Sequence, residues 1–302
     1  METASAGVVS ARSAKVNWRF RIKVPSLELL VEVQDPRQRV YIVSYPNSGR
    51  TWLRVMLSRY KQRLIGFDEF HVRLHAYYSS VPQSPQYIFY HARSEAGPAP
   101  TLWDRVRGRG ESKALPFDLS VCDGSRAIFL LRDPRDVVVS NYHEMATRQG
   151  RFKGSLSAFV RDSRVGIDHI IGFSNFVYEQ SQRSPLTCLL VQYEEMHRNP
   201  EQTLRRVCEF SQSVVVDDHI RESVRFASLE NMQKLEAAGA LIRPLDDRAF
   251  VDARFRKVRR GVVGGHRDEL DEQDIAFIDE KVRIALPPFF HEPHVSWLSR
   301  HE

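Results

Sequence analysis

The chain has no apolar run near the ~18 residues needed to span a bilayer, and no apolar h-region follows Met1. A membrane anchor and a secretory leader are therefore not expected, and the sequence implies a soluble protein. Cysteine is scarce: Cys122, Cys188 and Cys208 are odd in number and widely spaced. They form no metal-ligand pattern and suit reduced thiols in a cytoplasm. No internal repeat and no linker divides the chain. The stretches richest in Gly, Pro and Ser, 79–85 and 97–100, read as loops. The formal net charge is +6, yet the basic residues, densest at 105–109 and 254–260, lack the aromatic interleaving that stacks bases. Nucleic acid thus has net charge as its only support. No membrane partner is expected, and a polyanionic small molecule is the other use for the excess.

A chain of 302 residues with 42% apolar content can bury a large core. Residues 1–20 lack a clear period and hold few large apolar side chains, so they are expected to be a mobile arm, leaving 21–302 as a single domain. Arg12, Lys15, Arg19 and Arg21 give the start a transit-peptide flavour that Glu2 and the weak amphipathicity oppose.

Four apolar runs read as buried strands: Val40 to Val43, Tyr87 to Tyr90, Ala127 to Leu131 and Leu186 to Gln192. Helical stripes separate them, the first through Leu53, Met56, Leu57, Tyr60 and Leu64. Asp133 with Pro134 reads as a helix start, continued by Val137, Val138, Asn141, Tyr142 and Met145; Asn199 with Pro200 repeats the signal. A last helix through Ile275, Ile278, Val282 and Ala285 is entered through Asp271, Glu272 and Asp274, which favour its positive end. Alternating strands and helices predict an α/β fold, a central parallel sheet with helices on both faces and a P-loop-like architecture. Ligands then bind at the carboxyl ends of the strands.

The first strand runs into Tyr45-Pro46-Asn47-Ser48-Gly49-Arg50-Thr51-Trp52-Leu53. Backbone N–H groups at the start of the following helix lack carbonyl partners and, with the helix dipole behind them, face an anion. A Walker A loop would need Gly at 44 and Lys at 50, where Ser44 and Arg50 stand, so a magnesium-dependent kinase is a poor fit.

The segment resembles the 5′-phosphosulfate loop of PAPS-dependent sulfotransferases, Y-P-K-S-G-T-T-W-L. Arg132-Asp133-Pro134-Arg135-Asp136-Val137-Val138-Val139-Ser140 resembles that family's 3′-phosphate element, R-D-P-R-D-x-x-x-S. Arg259-Arg260-Gly261-Val262-Val263-Gly264-Gly265 resembles its third motif, R-K-G-x-x-G-D. The resemblance runs from about Val40 to about Phe277. It implies a soluble cytoplasmic enzyme of EC 2.8.2 type that moves a sulfuryl group from PAPS to a hydroxyl, or less often an amine, of a small-molecule acceptor, leaving PAP. No metal is implied, and a homodimer is among the assemblies allowed.

Residue by residue, the resemblance assigns the 5′ end to Asn47, Ser48, Gly49, Arg50 and Thr51, and the 3′-phosphate to Arg132 and Ser140. Ser140 lies two helical turns beyond Asp133, so both can meet one phosphate. Arg135 and Asp136 read as structural, and an Arg132–Asp136 ion pair is the bland alternative for Arg132. Trp52 either stacks on adenine or packs in the core. Tyr193, in Gln192-Tyr193-Glu194-Glu195-Met196, matches an adenine-touching tyrosine, while Ser228 is a nucleotide contact or a helix cap. Arg259, Arg260 and Gly261 close over the 3′-phosphate side. His91, directly after its strand, matches the catalytic base, with His143, His75 and His266 in reserve.

Two departures fall on functional positions. Gly265 and His266 replace an Asp-Trp pair, which bears on local packing, and Asn47 replaces a lysine that contacts the leaving phosphate. Neutral hydrogen bonds contribute about 0.5–1.5 kcal/mol and charged ones about 1.5–3, so the swap costs on the order of tenfold in rate. Arg50 is the expected substitute cation. The rival expectation is a degenerate homologue that binds PAPS or PAP without catalysis. Acceptor contacts are expected from loops carrying Phe67, His71, Tyr77, Tyr78, Trp103 and Phe152, where aromatics suit a ring and Asp68, Glu69 and Glu95 a cation.

Overall fold

The computed structural model describes residues 39–67, 69–76, 85–91, 126–183, 188–241 and 255–287, and the backbone alone at 19–24, 27–32, 76, 90, 91 and 183. Strands β1 (Arg19–Val24) and β2 (Leu27–Glu32) form an antiparallel hairpin with Arg19 opposite Glu32. This pair is separate from the main sheet and was not among the expected strands. Residues 1–18 of the expected arm, and the loops at 79–84 and 97–100, lie outside the described residues.

The main sheet contains β3 (Arg39–Ser44), β4 (Gln86–His91), β5 (Arg126–Leu131) and β6 (Cys188–Gln192), all parallel, in the order β4-β3-β5-β6. The expected α/β architecture with a parallel sheet is therefore present. Side chains alternate across each strand. Tyr41, Val43, Ala127, Phe129 and Leu131 face one core, and Val40, Ile42, Ile128 and Leu130 the other. Continuous apolar runs follow, because both faces are covered. Each side chain fully withdrawn from water contributes about 1.5–3 kcal/mol.

The second core receives α1 (Arg50–Ile65), whose Leu53, Met56, Leu57 and Tyr60 are buried as the stripe predicted. The first receives α2 (Pro134–Tyr142), α3 (Leu156–Arg161) and α4 (Ile167–Arg183) through Val137, Phe159 and Ile170. Asp133 caps α2 by accepting from Arg135 N at 2.9 Å. The helix expected to run on through Met145 instead widens into a π-helical segment, His143–Arg148. Such widening often accompanies functional sites.

After β6 come α5 (Tyr193–Arg198), α6 (Pro200–Phe210), α7 (Asp217–Phe226) and α8 (Leu229–Ala237), packed on the second core through Met196, Leu204, Ile220 and Met232. The last helix, α9 (Glu272–Ala285), starts where Asp271 accepts from Asp274 N at 2.7 Å and buries Ile278 and Val282 in the first core.

From β3 the chain moves outward to β4 and then crosses back to β5 on the other side, so the order reverses between β3 and β5. The crevice beyond the carboxyl ends at such a reversal is where open α/β sheets bind ligands. Ser44, His91, Leu131 and Gln192 all end at that edge.

Candidate functional site

The turn between β3 and α1 is built from two unusual backbone conformations. Asn47 has φ 64° and Gly49 φ 91°, both left-handed. A Cβ on Gly49 would lie 2.5 Å from Tyr193 Cδ2, so Gly49 is required both for the turn and for the approach of α5. The first bonds of α1 run from Trp52 N and Leu53 N to Gly49 O, at 3.0 and 3.1 Å. The N–H end of the helix, with its dipole positive there, is the end that suits an anion. Ser48 Oγ is buried with no hydrogen-bond partner among the described residues.

Asn47 turns its amide away to α2, where Nδ2 donates to Asn141 Oδ1 at 2.7 Å. Its carbonyl accepts from Arg132 Nη1 at 3.1 Å, which ties the loop to the end of β5. Arg132 is a junction. Its guanidinium also lies 3.4 Å from both Ser140 Oγ and Asp136 Oδ2, donates to Val262 O at 3.3 Å and sits 4.3 Å over the Tyr193 ring. Arg132 and Ser140 are thus together as expected, and the Asp136 contact exists alongside rather than instead.

The third motif is docked by Asp136. This buried carboxylate accepts from Gly264 N at 2.9 Å and from His266 N at 3.0 Å, and its Oδ1 lies 2.9 Å from His266 Nδ1. Burial by itself would raise the Asp136 carboxyl, but the His266 hydrogen bond, the Arg132 charge and the two backbone donors bring it down to about 2. Arg259 Nη2 lies 3.1 Å from Glu269 Oε1, while Glu269 Oε2 pairs with His143 Nε2. Arg260, half exposed, pairs with Asp268. Gly261, at φ 61°, offers its carbonyl to His197 Nε2 at 2.8 Å.

Trp52 donates from Nε1 to Ala227 O at 2.9 Å, and its ring stands edge-on to Tyr193 with centroids 6.0 Å apart. Ser228 caps α8, its Oγ 3.4 Å from Asn231 N. These parts surround one cavity of ≈ 420 Å³, a size suited to a small-molecule site. Of the residues proposed from sequence, Asn47, Gly49, Arg50, Thr51, Trp52, Arg132, Ser140, Tyr193, Ser228, Arg259, Arg260 and Gly261 line it. Ser48 is buried and does not line it. His91 ends β4 opposite Ser44 in register, and its side chain falls outside the described residues.

Among the reserve histidines, His75 is buried under β4 with Nδ1 3.1 Å from Tyr87 O, and burial pushes it down to about 3. His266 is engaged with Asp136 and His143 with Glu269, and both line the cavity. The cavity also holds His197, Glu144, Arg148, Lys257 and Glu269, none of which has a local motif to mark it. Phe67, His71 and Phe152 do not line it, and Asp68, Tyr77, Tyr78, Glu95 and Trp103 lie outside the described residues.

Seven cationic side chains line the cavity against three carboxylates. Burial, with the Arg54 charge adding to it, brings Arg50 down to about 9. An excess of positive charge lining one cavity suits a polyanion. Gly49 lets the loop and Tyr193 approach each other at one wall of this cavity.

The chain is similar to cytosolic sulfotransferase 12 of Arabidopsis thaliana, 26% identical over 80% of this chain and 76% of that protein. It is also similar to the amine sulfotransferase of Oryctolagus cuniculus, 24% identical over 73% and 71%. Among solved structures, mouse sulfotransferase SULT7A1 complexed with PAP superposes with a TM-score of 0.56 at 18% identity, over 85% of this chain and 86% of that one. Retinol dehydratase in complex with androsterone and PAP gives 0.56 at 14% identity, over 88% and 89%. The family model described as the sulfotransferase domain matches residues 37–289, and the chain belongs to that family.

Proposed function

We propose that this protein transfers a sulfuryl group from PAPS to a hydroxyl, or less often an amine, of a small acceptor, in the cytoplasm. One observation carries the reading: segments as remote as 47–52, 132–140, 193, 228 and 259–261 line a single cation-rich cavity at the sheet's reversal point. Bound PAPS supplies an activated sulfuryl group. A new S–O bond to a hydroxyl acceptor, or an S–N bond to an amine, forms as the S–O bond to the phosphate breaks, with its electron pair left on PAP.

The chain's own residues divide the remaining work. Arg132, Ser140, Arg259 and Arg260 hold the 3′-phosphate with charge-assisted donors. Trp52 and Tyr193 flank the adenine, while Thr51 and the N-terminal end of α1 receive the 5′-phosphate. Arg50 provides positive charge on the loop in place of the lysine absent at 47. His91, at the carboxyl end of β4, takes the acceptor proton. The relatives named cytosolic sulfotransferases support the location, and no described helix is long and apolar enough to cross a membrane.

Calorimetry with PAP, followed by transfer from radiolabelled PAPS to a mixed acceptor panel, tests the proposal. Micromolar or tighter binding with transfer is expected, and no affinity in folded protein overturns it. A second reading, a PAP-binding homologue without catalysis, draws on the turning of the Asn47 amide to Asn141. Binding with no transfer to any acceptor would favour it.

A further inference from the structure

We propose that Lys257 binds the phosphosulfate end of the nucleotide and stabilises the departing phosphate, sharing with Arg50 the duty that a loop lysine would carry where Asn47 stands. The proposal rests on the PAPS reading above. Lys257 lines the same cavity as Asn47 and Arg50, but enters from the segment that precedes Arg259. That segment is pinned on both sides. Glu236 accepts from Lys257 N at 2.7 Å through Oε1 and from Val258 N at 2.9 Å through Oε2, and Arg148 Nε donates to Phe255 O at 2.9 Å. The lysine is thus presented from a fixed backbone, which reduces the ordering cost of binding.

Its electrostatic surroundings leave room for an anion. Glu144 is the carboxylate that favours its charge, yet Glu144 Oε2 already pairs with Arg148 and Oε1 accepts from Gln149 Nε2 at 2.8 Å. Arg50, Arg54 and Arg148 oppose it with like charge. Burial is the largest influence, and together these bring the ammonium down to about 8. An incoming phosphate opposes that shift and favours the charged form. During transfer the acceptor oxygen bonds to sulfur, its proton passes to His91, and the electron pair of the broken S–O bond stays on the phosphate. Lys257 donates a hydrogen bond to that oxygen and keeps its own proton. A compact ammonium with three donors suits such a point contact.

The test uses calorimetry on wild type, Lys257→Met, Lys257→Gln and Lys257→Arg with two probes, PAP and adenosine 3′-phosphate, which lacks the 5′-phosphate. Both neutral variants should lose roughly tenfold or more in PAP affinity, the size of a charged hydrogen bond. Their affinity for adenosine 3′-phosphate should stay within about twofold of wild type, and Lys257→Arg should keep most of the PAP affinity. Equal losses for the two ligands, or no loss for PAP, would overturn the assignment. If Lys257→Met does not fold, Lys257→Gln carries the comparison, and wild type supplies an independent reading across pH. Its preference for PAP over adenosine 3′-phosphate should shrink as pH rises from about 7 to 9, and more steeply than that of Lys257→Arg, where Arg50 alone of the two loses charge in that range. A flat wild-type profile would also overturn it. Wild type that binds neither ligand would instead sink the PAPS reading, a result distinct from both.

Discussion

His266 Nδ1 stands 2.9 Å from Asp136 Oδ1, and both side chains are buried. The backbone N–H groups of Gly264 and His266 reach the same carboxylate. This pair accounts for the departure at Gly265-His266. The histidine fastens the third motif to α2, and because Asp136 also faces Arg132, that fastening sets the distance between Arg259 and Arg132 across the cavity.

Acid should therefore loosen the site. The Asp136 carboxyl is held near 2 against an ordinary value near 4, so its contribution is complete above the ordinary value and is lost as pH falls through the native one. A shift of this size corresponds to about 2 kcal/mol. Asp136→Ala should cost about 3–5 kcal/mol, because it leaves Arg132 and buried donors uncompensated. Urea unfolding at neutral pH measures the cost. A loss below about 1 kcal/mol would show that Asp136 is not the anchor.

Gly49→Ala tests the loop. The substitution meets two penalties: a left-handed φ of 91°, which costs an L-residue roughly 1–2 kcal/mol, and a Cβ 2.5 Å from Tyr193 Cδ2. Tyr193 has little room to retreat, with Arg132 4.3 Å over its ring and Trp52 on its edge. PAP affinity should fall by about tenfold or more, equivalent to ~1.4 kcal/mol, while the far-UV spectrum stays unchanged. Calorimetry that gives wild-type affinity would remove the loop from the binding site.

Much of this architecture is legible in the sequence because its causes are local. Strands covered on both faces read as continuous apolar runs, and Asp133-Pro134 carries its own start signal for α2. The loop at 45–53 sits directly between its strand and helix. What stays hidden depends on partners far along the chain. Lys257 gains its place from Glu236 and Arg148, and the amide of Asn47 is turned by Asn141. The widening of α2 at His143–Arg148 keeps a helical residue pattern, so periodicity cannot separate it from an ordinary helix. The β1–β2 hairpin lies partly within a stretch whose weak period suggested an arm.

Charge at position 50 should matter more than the amide at 47. Asn47 is engaged with Asn141 through Nδ2, whereas Arg50 lines the cavity at the N-terminal end of α1. Arg50→Ala is expected to reduce turnover by roughly 10–100-fold, the range for a lost charged contact. Asn47→Ala should reduce it by less than about tenfold, a neutral contact's share. Asn47→Gly is the companion control, since φ at 47 is 64° and alanine adds strain there. Steady-state kinetics at saturating PAPS decide the point, and equal losses at the two positions would count against Arg50 as the substitute cation.

The two histidines near the reaction edge should fail in different ways. His143 Nε2 is tied to Glu269, whose other oxygen lies 3.1 Å from Arg259, so the imidazole is bound into the arrangement that holds Arg259, the proposed 3′-phosphate ligand. His91 ends β4 opposite Ser44 in register, beside the loop that follows β3. His143→Ala should thus weaken PAP binding by about tenfold, as expected for one charged contact, and leave measurable turnover once PAPS is saturating. His91→Ala should keep PAP affinity near wild type and reduce turnover by about 10²–10⁴-fold, the usual contribution of a general base. Binding and single-turnover measurements on both variants distinguish the roles. The opposite pattern would move the base to His143 and make the Glu269 pairing part of the proton transfer.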